Sequence, residues 1–208
     1  VNDRLICFID VINFRNYFES ISRDTSFDDM TSFLKTYSDL IDLNNKSMKV
    51  EGFDIEISAI FDSFLISISK PQESEVNIVD YLFWLAQDIQ KQILWHFGLL
   101  SKGVFHVGEL FHKRNIIMGV GYLNVIDYEK KQKMPALFAT DEFVQACRDN
   151  SNITILECDD EENIKSFLRP SVYPKIRNLL EPLLKEGLRE SNCEQHRAKW
   201  EFAIKYWI

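Results

Sequence analysis

Little in this chain pulls it away from ordinary globular proteins. Its four cysteines (Cys7, Cys147, Cys158 and Cys193) show no CxxC spacing and have no histidine pair beside them, which argues against a zinc site and a disulfide framework. A reducing cytosol fits that usage. Seven glycines and five prolines in 208 residues, without repeats or low-complexity tracts, leave no room for a collagenous or disordered reading. Basic residues are outnumbered 24 to 32, and the net charge of −8 opposes non-specific attraction to a nucleic-acid backbone or an anionic membrane. Long apolar runs are also missing: the richest stretch, Val76 to Leu100, is interrupted by Asp80, Asp88, Lys91 and His96. The first residues lack a basic segment followed by an apolar one. The expectation is a soluble, cytoplasmic protein with no nucleic-acid partner and no direct membrane association. What is present is 46% hydrophobic content, enough for one sizeable core.

The apolar pattern predicts alternating strands and helices. Leu5 to Asp10 is a short continuous apolar run, read as a buried central strand, and a helical pattern opens at Asn13 with Phe14, Tyr17, Phe18 and Ile21. A second helix is predicted over Phe27 to Leu43. Phe53, Ile55, Ile57 and Ala59 alternate with polar residues, and a second alternating run follows through Phe64, Ile66 and Ile68. This predicts a hairpin with Asp62 close to its tip. Val76 to Phe97 is an amphipathic helix ended by Gly98, followed by strands at Val104 to Phe111 and Asn115 to Met118 around a polar turn at His112-Lys113-Arg114. Gly119 opens a helix to about Lys130, Ala136 to Ala139 is a strand, Thr140 to Cys147 a helix, and Ile153 to Leu156 an edge strand closing the sheet. From Pro170 the chain turns helical, with a leucine stripe interrupted at Pro182 and an aromatic end at Trp200, Phe202, Tyr206 and Trp207. That tail reads either as two helices packed on the core or as a dimerisation element.

Two strings carry the chemistry. Phe8-Ile9-Asp10-Val11-Ile12-Asn13-Phe14 and Ile60-Phe61-Asp62-Ser63-Phe64 each set one aspartate at the end of an apolar run. A carboxylate at the end of a buried strand, followed at once by a helix N-terminus, offers a ligand for a hard cation and backbone N–H groups for phosphate oxygens. Taken singly, Asp10 reads as a helix cap and Asp62 as a turn residue. Two more stretches complete an ordered set: Lys102-Gly103-Val104-Phe105-His106-Val107-Gly108-Glu109-Leu110-Phe111-His112, and Asn115-Ile116-Ile117-Met118-Gly119 leading into Tyr128-Glu129.

From about Leu5 to Phe143 this set resembles the class III nucleotidyl cyclases, and more closely the compact bacterial pyrimidine cyclases of Pycsar anti-phage systems. The resemblance implies an α+β fold, a ferredoxin-like βααββαβ core with residues 1–169 as the cyclase domain and 170–208 as a C-terminal helical extension. It implies a homodimer acting on a nucleoside triphosphate, with the cyclic product sensed by a separate effector. Two ions, Mn²⁺ or Mg²⁺, would be held by Asp10, Asp62 and the Val11 carbonyl, and Val11, Ile12, Asn13 and Phe14 would form the triphosphate loop. Lys102 is the candidate catalytic cation, with Lys113, Arg114 and Arg15 as others. Departures direct the expected substrate. Where purine cyclases carry a base-reading lysine, this chain has Ile57-Ser58-Ala59-Ile60, and Leu123 and Asp127 stand where purine enzymes have asparagine and arginine. This points to UTP or CTP, giving cyclic UMP or cyclic CMP. The alternative is a catalytically silent cyclase-like module that binds a nucleotide or a partner; a polymerase palm or diguanylate cyclase shares the topology but lacks its turn motif and basic path here. His106 and His112 are assigned core or hydrogen-bonding roles rather than metal ligation.

Overall fold

A computed structural model describes residues 2–24, 54–69, 78–113, 116–150, 155–156, 167–168 and 174–207, together with Lys35, Ser38 and Asp39. The helix predicted over Phe27 to Leu43 falls outside these residues apart from those three, and Phe53, Arg114 and Cys158 fall outside them too. The described elements are β1 (Asn2–Val11), α1 (Phe14–Asp24), β2 (Asp54–Ile60), β3 (Ser63–Ser69), α2 (Ile78–Phe97), β4 (Ser101–Lys113) and β5 (Ile116–Met118). They continue with α3 (Val120–Glu129), β6 (Leu137–Ala139), α4 (Asp141–Asn150), β7 (Ile155–Leu156), β8 (Phe167–Leu168), α5 (Pro174–Glu190) and α6 (Glu194–Trp207).

The strands form one sheet in the order β2-β3-β1-β4-β6-β8-β7, with β5 paired to β4 off that path. β1 lies between β3 and β4, antiparallel to both, while β6 runs parallel to β4. Because successive side chains of a strand alternate between faces, β1 feeds two cores. Leu5, Cys7, Ile9 and Val11 pack with α2 and Phe143 of α4, whereas Ile6 and Phe8 pack with Leu65, Val104, Phe138 and Val125 of α3. Burial on both sides explains why β1 reads as a continuous apolar run rather than an alternating one. A third cluster closes the end of the sheet: Ile12, Leu94 and Leu100 pack against Leu180 and Leu184 of α5 and Ala203 and Trp207 of α6. This is the α+β architecture that the resemblance implies.

Two local expectations are corrected. The turn after β4 is not His112-Lys113-Arg114; the ladder continues through His112 and Lys113, which pair with Ile117 and Ile116. His112 stays in the strand because its ring is buried and bonded on both nitrogens, Nε2 to Ser58 Oγ at 2.9 Å and Nδ1 to Ser67 Oγ at 2.9 Å. The strand near Leu156, β7, closes the edge of the sheet as expected, and β8, which no sequence pattern signals, sits between it and β6. Pro182 does not interrupt the helix: α5 runs through it, with the proline exposed and Leu180 and Leu184 on either side buried. The two buried leucines hold the backbone helical despite the missing N–H.

Gly98 ends α2 as expected, with φ 62 and its N–H donating to the Leu94 carbonyl at 2.9 Å, a left-handed residue at the helix C-terminus. None of the described helices is long and apolar enough to cross a membrane.

Candidate active site

The register of β1 assembles the site. Residues directly opposite in antiparallel strands share a face, and Asp10 stands opposite Ser63 on β3 and Lys102 on β4. The two-residue turn Phe61-Asp62 joins β2 to β3, and the Asp62 carbonyl accepts the Val11 N–H at 3.0 Å, which fixes the hairpin tip against the end of β1. The Ser63 hydroxyl then donates to Asp10 Oδ1 at 3.2 Å and lies 3.5 Å from Asp62 Oδ1. Asp10 and Asp62, 52 residues apart in the chain, thus converge on a single hydroxyl.

Lys102 Nζ lies 4.0 Å from Asp10 Oδ2 but only 2.5 Å from Glu129 Oε1, and it donates to the Gln132 carbonyl at 3.0 Å. Glu129, on the last turn of α3, is nearly fully buried, so its charge is held chiefly by this one ammonium. The effect on Asp10 is direct. Burial raises its pKa from 3.8 to about 6, the negative charges of Glu129 and Asp62 push the same way, and Lys102 and the Ser63 hydrogen bond offset only part of it. The site therefore carries a surplus of negative charge.

Beside the carboxylates, Asn13 has φ 64, a left-handed conformation that asparagine tolerates, and its carbonyl accepts the Tyr17 N–H at 3.1 Å to begin α1. Ile12 donates its N–H to the Leu100 carbonyl at 2.8 Å and is buried, whereas Phe14 lies half-buried against the α2 core and stacks on Phe18 with ring centroids 6.3 Å apart. Among the other cations named from the sequence, Arg15 is exposed and paired with Glu19 at 2.9 Å. Lys113 stands 11 residues along β4 from Lys102, roughly 36 Å at strand rise. The structure does not bring either to the carboxylates in the way it brings Lys102.

Sequence reasoning assigned no role to Glu129, Ser63, His196 or Lys199. Ser63 could have been found from the antiparallel register once β1 was placed centrally. Glu129 depends on the path of α3 back over the sheet, and the C-terminal pair on the packing of α6, neither of which leaves a local signal. His196 Nε2 accepts from Asn13 Nδ2 at 3.1 Å, and an open cleft is lined by Ile12, Asn13, Leu100, His196, Lys199 and Trp200 among others. Ser58 is buried and bonded to His112. His106 is likewise structural, buried with Nδ1 3.0 Å from Thr140 Oγ1.

No protein-family model matches the chain, and no curated protein matches it by sequence. Solved structures do match. A dimeric guanylyl cyclase domain of the RhoGC fusion protein from the aquatic fungus Blastocladiella emersonii aligns over 80% of this chain and 93% of its own, with TM-score 0.55 and 13% identity. The adenylyl cyclase CyaB from P. aeruginosa aligns over 83% and 95%, with TM-score 0.54 and 11% identity. The guanylate cyclase domain of RhGC from Catenaria anguillulae, solved in complex with GTP, aligns over 79% and 92%, with TM-score 0.50 and 14% identity. Arranged around a central β1 that carries its carboxylate to the hairpin tip, the chain has the fold of the guanylyl and adenylyl cyclase domains.

Proposed function

We propose that this chain is a nucleotidyl cyclase that converts UTP or CTP to the 3′,5′-cyclic monophosphate and pyrophosphate. The observation that carries the reading is the convergence of Asp10 and Asp62 on Ser63, within the fold of the cyclase domains. In the reaction the ribose 3′-hydroxyl loses its proton, its oxygen bonds to the α-phosphorus, and the bond from that phosphorus to the β-phosphate oxygen breaks.

The donor set fits divalent metal. Among the described residues no three His, Cys, Asp or Glu side chains are placed to hold one metal ion together, so an ion here would take two carboxylates and complete its shell with carbonyl, phosphate or water oxygens. Burial first, then the charges of Glu129 and Asp62, raise the pKa of Asp10, and a dication beside it would favour the carboxylate form. Mn²⁺ or Mg²⁺ held by Asp10, Asp62 and the Val11 carbonyl would supply the Lewis acidity that makes the 3′-oxygen nucleophilic and neutralises the leaving pyrophosphate. The protein's own residues do the positioning. Ser63 holds the two carboxylates together, Lys102 offsets charge beside Asp10, and the loop from Val11 to Phe14 lies where the polyphosphate would run.

The pyrimidine assignment rests on the Ser58 position. Its hydroxyl is committed to His112 in a buried pair, and no lysine stands there to read a purine. The resemblance to the Pycsar cyclases supports a role in anti-phage defence, in the cytoplasm, with a separate effector sensing the product. In this reading residues 1–169 form the catalytic domain and 170–208 its helical extension. A homodimer is supported by large apolar side chains left exposed on the β4–β5 hairpin and at the start of α3: Phe111, Ile116, Met118, Val120 and Leu123.

Incubating the pure protein with each of the four nucleoside triphosphates and Mn²⁺, with mass-spectrometric identification of products, tests the proposal. Cyclic UMP or cyclic CMP is expected, with at least a 100-fold loss in Asp62→Asn. No cyclic product from any substrate, or undiminished turnover in that variant, overturns it. The second reading, a silent nucleotide-binding module, is favoured by the engagement of Lys102 with Glu129; triphosphate binding without turnover would establish it.

A further inference from the structure

The charge accounting at the site leaves a gap. A triphosphate brings several negative charges to a place already holding Asp10, Asp62 and buried Glu129, and Lys102 is occupied by Glu129 at 2.5 Å and by the Gln132 carbonyl at 3.0 Å. Arg15 is turned to solvent with Glu19, and Lys113 lies far along β4.

One further lysine stands at the loop, and it comes from the far end of the chain. Lys199 lies on α6, half-buried, and lines the same cleft as Ile12, Asn13, Leu100 and His196. It forms no ion pair among the described residues. Its ammonium is destabilised by burial and by the charge of Lys102, against smaller favourable effects of Cys193 and, last, Asp10, so it lies within the field of the Lys102–Asp10 site. A lysine in that state gains more from an anionic ligand than a solvated surface lysine does, because the ligand relieves a desolvation cost already present in the free protein.

The helix that carries it is pinned. His196, three residues before Lys199 and so on the same helix face, is bonded to Asn13, and Trp207 Nε1 donates to the Pro135 carbonyl at 2.8 Å at the other end. Between them Trp200 lies against Gly187 of α5 so closely that a Cβ on that glycine would meet the indole at 2.4 Å. Lys199 is therefore held at the loop by a rigid helical hairpin rather than placed there by a flexible tail.

We propose that Lys199, supplied within the same chain by α6, binds the polyphosphate of the substrate at the Ile12–Asn13 loop. The inference rests on the triphosphate-dependent reading above and adds a residue to it that lies outside the stretch resembling the cyclases. The role is electrostatic anchoring of the phosphate chain, with no covalent step.

The test measures binding separately from turnover. Inorganic tripolyphosphate with Mg²⁺ is titrated calorimetrically into the full chain, into Lys199→Met, into Lys199→Arg, and into Lys205→Met as a charge-matched control on the same helix. The expected result is a tenfold or greater weakening in Lys199→Met, recovery to within threefold in Lys199→Arg, and no change in Lys205→Met, with unchanged thermal unfolding of all four in the absence of ligand. Equal affinity of Lys199→Met and the unmodified protein, or no tripolyphosphate binding by the unmodified protein, overturns the inference. Equal weakening in Lys205→Met would show an effect of net charge and overturn it as well. The four-substrate turnover assay stands apart: absence of cyclic product with tripolyphosphate binding that depends on Lys199 removes the cyclase reading and leaves the phosphate site.

Discussion

Asp10 concentrates the residue-scale physics. Its folded pKa of about 6 lies above the ordinary 3.8, so folding favours its protonated form. In metal-free protein the stabilising contribution of that proton is complete below pH 3.8 and is lost as the pH rises through 6. The loss is about 3 kcal/mol. Asp10→Asn keeps the shape and removes the charge, so in the presence of a chelator it should raise the unfolding temperature at pH 8 and leave it nearly unchanged at pH 4, while abolishing turnover. Thermal unfolding of both proteins across that range is the measurement, and a variant less stable at pH 8 would contradict the assigned pKa. Stability given up at a charged site is a common mark of function.

Glycines expose the constraints at the scale of elements. Gly119, at the N-terminus of α3, has φ 144, and a Cβ there would lie 2.4 Å from the Glu109 carbonyl oxygen. Gly119→Ala should cost about 2–4 kcal/mol in denaturant unfolding, through strain and backbone displacement together. Because α3 carries Glu129, loss of turnover beyond what the lost stability explains is also expected. The same elements show what the chain discloses in advance. β1, the β2–β3 hairpin with Asp62 at its tip, α2 with its Gly98 stop and α3 opening at Gly119 are each signalled by a local rule: apolar continuity, alternation, helical spacing and a glycine at a left-handed or crowded position. β8 is two residues long, too short for any period to register. His112 reads as a polar turn residue because its polarity is visible and its buried partners Ser58 and Ser67, 54 and 45 residues away, are not. The site divides along the same line: the two aspartates lie in recognisable strings, whereas Glu129 and Lys199 reach it through tertiary packing alone.

Association is the question at the scale of the whole molecule. Phe111 and Met118 face one another across the β4–β5 pair, and Ile116, Val120 and Leu123 are more than half exposed beside them. Apolar side chains this large, gathered on one hairpin and the helix after it, are expected to be covered by a second copy. Met118→Glu should convert a dimer to a monomer in sedimentation equilibrium and lower turnover at least tenfold at micromolar protein. A monomeric unmodified protein with full turnover would remove the dimer from the reading.

Ser63 bears on how such a site exists before any cation arrives. Two carboxylates brought together without a counter-ion repel, and loops carrying them would be expected to splay. The Ser63 hydroxyl, seated on the neighbouring strand, puts a single proton between Asp10 Oδ1 and Asp62 Oδ1. That proton acts as a placeholder for positive charge: it keeps the ligand atoms near their working separation while the site is waiting, and it can rotate aside when something more strongly positive takes its place. Readiness for a cation would then be a property of one serine rotor, which turns about a single bond, rather than of a rearranging backbone.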